Sequence, residues 1–102
     1  MVHILHHQQS VANVFIAELR DKNIQKDPLR FRRNLERLGE ILAFEISKTF
    51  EFKDAEVLTP LGIAETRLPA DQPVIATILR AGLPMHQGVL NFFDRAENCF
   101  IS

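Results

Sequence analysis

The sequence predicts an α/β domain in which N-terminal helices and a hairpin precede the first strand-helix-strand unit of a parallel sheet. Three observations carry this reading. Apolar residues recur at helical spacing through the first half, a run apolar on both faces occupies Val74 to Leu79, and Pro84 opens a further helical repeat before a short apolar segment at Asn98 to Ser102. The 102 residues suit one small domain, for which folding removes roughly two-thirds of the unfolded surface from water. Hydrophobic residues at 46% and charged residues at 25% exclude a disordered or low-complexity chain. The net charge of −1 provides no global field for nucleic acid or anionic lipid, so any anion site must arise from local arrangement. A lone cysteine, Cys99, leaves no internal disulfide and fits a reducing compartment. No apolar run reaches the ~20 residues of a membrane span, and the start Met-Val-His-Ile-Leu-His-His lacks a signal-peptide layout. The expected location is cytoplasmic, with no membrane partner.

Within residues 1–102, the expected organisation is a helical arm over 10–50, a hairpin over 56–67 and the start of a βαβ unit over 74–102. Ser10 is placed to cap a helix whose Val11, Val14, Phe15 and Leu19 share one face, ending near Asp21 to Asn23. Asp27-Pro28 is a second start signal, a capping residue followed by proline at the first helical position. Phe31, Leu35, Leu38 and Leu42 then recur on one face towards Thr49, and Arg30, Arg33 and Arg37 share another. A solvated basic surface is the commoner fate of such a charged face. After Phe50-Glu51-Phe52, Glu56 to Thr59, the Pro60-Leu61-Gly62 turn and Ile63 to Arg67 form the hairpin. Pro69 and Pro73 bracket a connection to Val74-Ile75-Ala76-Thr77-Ile78-Leu79. A strand apolar on both faces is expected to be buried on both, as parallel strands are. Met85, Val89, Phe92 and Phe93 give the helix after Pro84 a buried side, and the unit is expected to be right-handed.

The segment with chemistry in it is Ile78-Leu79-Arg80-Ala81-Gly82-Leu83-Pro84. A strand ends at an arginine, turns through small residues and enters a helix whose free N–H groups point back at the turn. Ligands bind at the carboxyl ends of strands in open α/β sheets, and a helix N-terminus favours an anion. Arginine adds a permanently charged fork suited to phosphate oxygens, so the segment reads as a phosphate or pyrophosphate site. Other candidates are poorer. His3, His6 and His7 lack a nearby cysteine or carboxylate, so no metal ligand is assigned. His86, in the first turn after the loop, is expected to be solvated. Cys99 is expected to be a small core residue. Glu45 sits in a hydrophobic helix without an assignable carboxylate partner.

Ile78-Leu79-Arg80-Ala81-Gly82-Leu83 resembles the first active-site loop of the uracil phosphoribosyltransferases. Leu19-Arg20-Asp21-Lys22 is similar to that family's Met-Arg-Asp-Lys, Phe31-Arg32-Arg33 to its Phe-Arg-Arg, and Glu40 to Glu45 to its Leu-Leu-Ala-Tyr-Glu stretch. Thr59-Pro60-Leu61-Gly62 matches its turn in the same order. The resemblance runs along nearly the whole chain but covers only the N-terminal half of the family. It implies a phosphoribosyltransferase-type (Rossmann-like) parallel sheet, incomplete at the C-terminus. It also implies transfer of phosphoribose from phosphoribosyl pyrophosphate to uracil, giving UMP and pyrophosphate with magnesium assisting. Arg80, Ala81 and Gly82 then face the pyrophosphate, and a non-proline cis peptide joins Leu79 to Arg80. GTP is the implied activator, with Lys22, Arg32 and Arg33 as candidate contacts, and the implied assembly is a homo-oligomer.

Pro84 departs from the family, which usually carries glycine there, yet proline fits the first turn of a helix. The family's Asp-Pro-Met-Leu-Ala-Thr-Gly-Gly-Ser-like phosphate cradle and its uracil-recognition segment do not occur in these residues, and no catalytic residue is assignable. The expectation is therefore a fragment inactive by itself. Two other classes compete: a regulatory RNA-binding relative using the stripe at Arg30, Arg33 and Arg37, and a non-catalytic assembly partner. Against the former stand the net charge and the absence of tyrosine and tryptophan for base stacking.

Overall fold

The computed structural model of the chain describes residues 2–102. A helical turn at Leu5–His7 leads to helix α1 (Ala12–Arg20), a second turn at Ile24–Lys26 and helix α2 (Pro28–Ser47). Strands β1 (Phe52–Thr59) and β2 (Gly62–Pro69) follow, then β3 (Val74–Ile78), α3 (Leu83–Phe92) and β4 (Glu97–Ile101). The capping signals work as the side-chain chemistry requires. Ser10 Oγ accepts from the Ala12 N–H at 3.2 Å, and Asp27 Oδ1 accepts from Leu29 and Arg30 N–H groups, each at 3.1 Å. The turn at Ile24–Lys26 has no counterpart in the sequence reading; Asp21 Oδ1 nucleates it by accepting from the Asn23 and Ile24 N–H groups.

The hairpin begins earlier and ends later than expected, pairing Phe52 with Pro69 and closing at Thr59 opposite Gly62. Its turn explains the Thr-Pro-Leu-Gly sequence. The Thr59 hydroxyl donates to the Gly62 carbonyl at 2.6 Å and accepts from the Leu61 N–H at 3.3 Å, while Gly62 adopts φ +128°. The ladder stands away from the body: Leu58 and Leu61 are exposed, and every residue of β2 before Pro69 is exposed.

The buried face of α2 is rotated from the one its leucines suggest. Asn34, Leu38, Gly39 and Ala43 are buried, whereas Phe31 lies at the surface. The cause is the crossing with α3. A Cβ on Gly39 would collide with the Met85 carbonyl, and one on Gly88 with the Glu36 carbonyl, so the two backbones touch. Past this crossing Ala43, Phe93 and Ala96 form the core, with Phe50, Ile75 and Val89 packed around them and the Phe50 and Phe93 rings 5.5 Å apart.

Strands β3 and β4 are parallel, as the strand-helix-strand pattern implies, with Val74 opposite Glu97 and Ile78 opposite Ile101. They form a two-stranded sheet separate from the hairpin. The expectation that β3 is buried on both faces fails: Ile75 and Thr77 turn towards α3, but Val74 and Ile78 are 66% and 69% exposed. Only one face has a helix layer against it. Cys99, opposite Ala76 on the uncovered face, is correspondingly exposed rather than a core residue. His86, expected in solvent, is buried against β3 and β4. These uncovered faces enlarge the chain. Its accessible surface is 7956 Å² and its radius of gyration 16.6 Å, against about 5,900 Å² and roughly 13 Å for a compact chain of this mass.

The arginine face of α2 is engaged within the chain. Arg30 donates to Glu18 of α1 at 3.1 Å, Arg33 to Glu36 at 3.3 Å, and Arg37 to Asn34 at 3.0 Å while lying over the Phe15 ring. Asn34, 1% exposed, also donates to Glu18 Oε1 at 3.0 Å. The Asn34 amide, and after it the Arg30 guanidinium, hold the Glu18 carboxyl below its ordinary value of 4.5.

Two outcomes follow from these contacts. Gly88→Ala gains about 0.8–1.0 kcal/mol of helix propensity, but the new methyl has only a backbone carbonyl to displace. The net change in a urea titration is a loss of about 1–3 kcal/mol. For Glu18, a folded value below the unfolded one means that its contribution is present above pH 4.5 and disappears as pH falls through the folded value. Glu18→Gln therefore lowers the thermal midpoint at neutral pH, and its deficit against the parent narrows on acidification below pH 4.5.

Candidate functional site

The Leu79 to Gly82 loop is fixed at both ends by main-chain bonds. Leu79 N–H donates to the Ile101 carbonyl at 2.7 Å, continuing the parallel ladder one residue beyond β3. The peptide between Leu79 and Arg80 is cis. Gly82 N–H then donates to the Ile78 carbonyl at 3.1 Å, Leu83 N–H to Arg80 at 3.1 Å, and His86 N–H to Gly82 at 2.9 Å. Gly82 is the N-cap of α3 at φ −76°, so its need for glycine is spatial: a Cβ there would lie 2.8 Å from the Ile78 carbonyl oxygen. Pro84 sits in the first helical turn without requiring a positive φ, the arrangement proline favours.

Arg80 and Ala81 are exposed at this strand end. The Arg80 guanidinium has neither an ion-pair nor a hydrogen-bond partner among the described residues, in contrast to Arg30, Arg33 and Arg67, which face carboxylates. Arg80 is thus a permanent cation in the turn that leads directly into the N-terminus of the ten-residue helix α3, in a chain of nearly zero net charge. A cleft of about 480 Å³ runs across the hairpin between Asp54 and Arg67, and another of about 430 Å³ lies between His3, Leu5 and Leu42; neither reaches the loop. Arg80 and Ala81 of the loop are exposed and Gly82 is half-buried.

The remaining candidates are scattered. Lys22 is exposed in the turn after α1, and Arg32 and Arg33 are exposed on α2, Arg33 being paired with Glu36. Glu45 is half-buried and accepts from Lys48 at 3.1 Å. The His6 and His7 rings meet edge to face, 4.6 Å apart. No three His, Cys, Asp or Glu side chains converge among the described residues. No helix among the described residues is long and apolar enough to cross a membrane. The sequence reading missed the buried partner beneath the loop, Thr77 with His86; the single polar residue in the β3 run was the available signal.

The profile of the uracil phosphoribosyltransferase family matches residues 6–102. A uracil phosphoribosyltransferase of Porphyromonas gingivalis is 56% identical over 95 residues, which cover 93% of this chain and 44% of that protein. One from Pyrobaculum arsenaticum is 41% identical over 88 residues, covering 84% of this chain and 41% of its own length. A solved Aquifex aeolicus protein superposes with a TM-score of 0.80 over 97% of this chain and 46% of that one, at 23% identity, a likeness of fold. The chain spans less than half the length of these relatives. With a family match over nearly every residue and the arginine loop at a parallel strand's carboxyl end, this chain belongs to the uracil phosphoribosyltransferase family.

Proposed function

We propose that this chain carries the diphosphate-facing part of an enzyme that transfers phosphoribose from phosphoribosyl pyrophosphate to uracil, forming UMP and pyrophosphate. The observation that carries the reading is the unpaired Arg80 at the β3 end, leading into the α3 N-terminus, in a chain of this family. As the bond from ribose carbon to diphosphate oxygen breaks and the bond to the uracil nitrogen forms, negative charge grows on the departing diphosphate. A fixed cation at Arg80 and the oriented N–H groups of Arg80 and Ala81, with Gly82 holding the turn through its own N–H to the Ile78 carbonyl, stabilise that charge more than the ground state, which is how such a loop accelerates transfer. The ribose-phosphate cradle and uracil segment of the family do not occur in these 102 residues. On this reading the residues bind one end of the donor and need the rest of the family's length for turnover.

The enzyme reading is preferred over a regulatory RNA-binding role because Arg30, Arg33 and Arg37 each already have partners within the chain. A cytoplasmic location and self-association belong to the same reading, the latter supported by the exposed apolar residues of the hairpin and of the open face of β3.

A 102-residue polypeptide is expected to form no UMP, whereas the full-length enzyme, these residues with the rest of the family's length, forms it. Steady turnover by the mass-verified 102-mer would contradict this division of the site. In the full-length enzyme Arg80→Ala lowers kcat/KM for the donor by roughly 10- to 100-fold, the size of a lost charged hydrogen bond of about 1.5–3 kcal/mol. Removing the charges at Lys22, Arg32 and Arg33 by alanine substitution weakens GTP activation of the full-length enzyme; an unchanged GTP response in initial-rate assays removes that assignment.

A further inference from the structure

Thr77 is the only polar residue in the β3 run and is 6% exposed; His86, on the first turns of α3, is 7% exposed. Buried polar groups need partners, and these two find each other. Thr77 Oγ1 and His86 Nδ1 share a hydrogen bond that crosses from strand to helix directly behind the Leu79 to Gly82 loop. The imidazole also packs on Phe100, ring centres 5.1 Å apart, and Phe100 is the residue opposite Thr77 in the parallel register. The other branch of the threonine is used as well: a Cβ on Gly82 would lie 2.9 Å from Thr77 Cγ2, so the methyl backs the loop's last residue. Main-chain bonds from His86 N–H to the Gly82 carbonyl, 2.9 Å, and from Gly82 N–H to the Ile78 carbonyl, 3.1 Å, complete the frame.

Valine at position 77 and leucine at position 86 would fill this space without a polar group. A hydrogen bond adds direction, which apolar packing lacks, and direction matters where a loop must present donors at fixed positions. Neither side chain is exposed enough to meet a ligand itself. We propose that Thr77 and His86 are a positioning pair for the donor-binding loop, holding Arg80, Ala81 and Gly82 at the spacing from the α3 N-terminus that a diphosphate group requires. This rests on the reading of the loop given under Proposed function, and the pair acts through the loop rather than on substrate.

The test uses the full-length enzyme with four substitutions. Thr77→Val keeps shape and methyl but loses the hydroxyl, and Thr77→Ser keeps the hydroxyl. His86→Leu removes the ring nitrogens, and His86→Asn keeps a polar atom near the Nδ1 position. Thr77→Val and His86→Leu each raise KM for phosphoribosyl pyrophosphate by about three- to tenfold, the effect of one lost hydrogen bond, and lower kcat as well because the same loop stabilises the departing diphosphate, with the uracil KM changed less than about twofold. Thr77→Ser and His86→Asn restore much of the donor KM. The double variant Thr77→Val/His86→Leu is no worse than either single, as a coupled pair requires. Titration with inorganic pyrophosphate, followed through the amide resonances of Arg80, Ala81 and Gly82, shows the same order of affinities. A Thr77→Val enzyme with parental donor KM and a lowered thermal midpoint overturns the proposal, leaving the pair a packing feature. Because Thr77→Val preserves volume, it decides the matter if His86→Leu does not fold. If the parent enzyme forms no UMP and its loop amides ignore pyrophosphate, the reading of the loop itself has failed. A parent that responds, with a valine variant of equal affinity, refutes the pair alone.

Discussion

The crossing of α2 and α3 at Gly39 and Gly88 sets the geometry from which the remaining contacts follow. Close backbone approach seats α3 deep against α2, bringing Phe93 over Ala43 and leaving Asn91 to hydrogen-bond both Glu36 and Glu40. Because β3 and α3 are joined by a loop of a few residues, fixing the helix fixes the strand. Thr77 then meets His86 from the strand side, and the loop between them has little freedom left. The donor groups at Arg80, Ala81 and Gly82 are therefore placed by a contact between two glycines on the opposite side of α3. Interiors packed at crystal-like density transmit such constraints over this distance, since neither helix can shift without opening a void.

Charge is distributed to match. On the α1–α2 side, Arg30 bonds across to Glu18 of α1 and Arg37 lies over Phe15 of α1, while Arg33 and Arg37 bond to Glu36 and Asn34 within α2 itself. At the β3 end, Arg80 has no such partner among the described residues. Arg30 and Arg80 thus differ in that a carboxylate already sits beside the former. The excess of accessible surface over that of a compact chain has an equally local origin, in a hairpin that stands clear of the body and a two-stranded sheet with a helix on one face only.

Much of this was legible in the residues. Asp27-Pro28, Ser10 and the Thr59 to Gly62 turn are local signals whose bonds reach three residues or fewer, and each formed as the side chains dictate. The parallel pairing of β3 with β4 followed from strand, helix and strand in succession, and the loop was marked by motif. Burial was not legible in the same way. Val74, Ile78 and Cys99 have the composition of core residues, yet they lie open, whereas His86 and Asn34 have that of surface residues, yet they are enclosed. Composition reports what a residue tolerates; enclosure depends on which layer lies against it.

The sequence by itself determined the order of helices and strands, their caps and turns, the family and the position of the arginine loop, because these rest on bonds and spacings within a few residues of one another. Only the tertiary structure decided which face of α2 is buried, which arginines are free and what stands behind the loop. Those outcomes depend on residues distant in the chain, Gly39 meeting Gly88 and Glu18 meeting Asn34, whose approach no local spacing encodes.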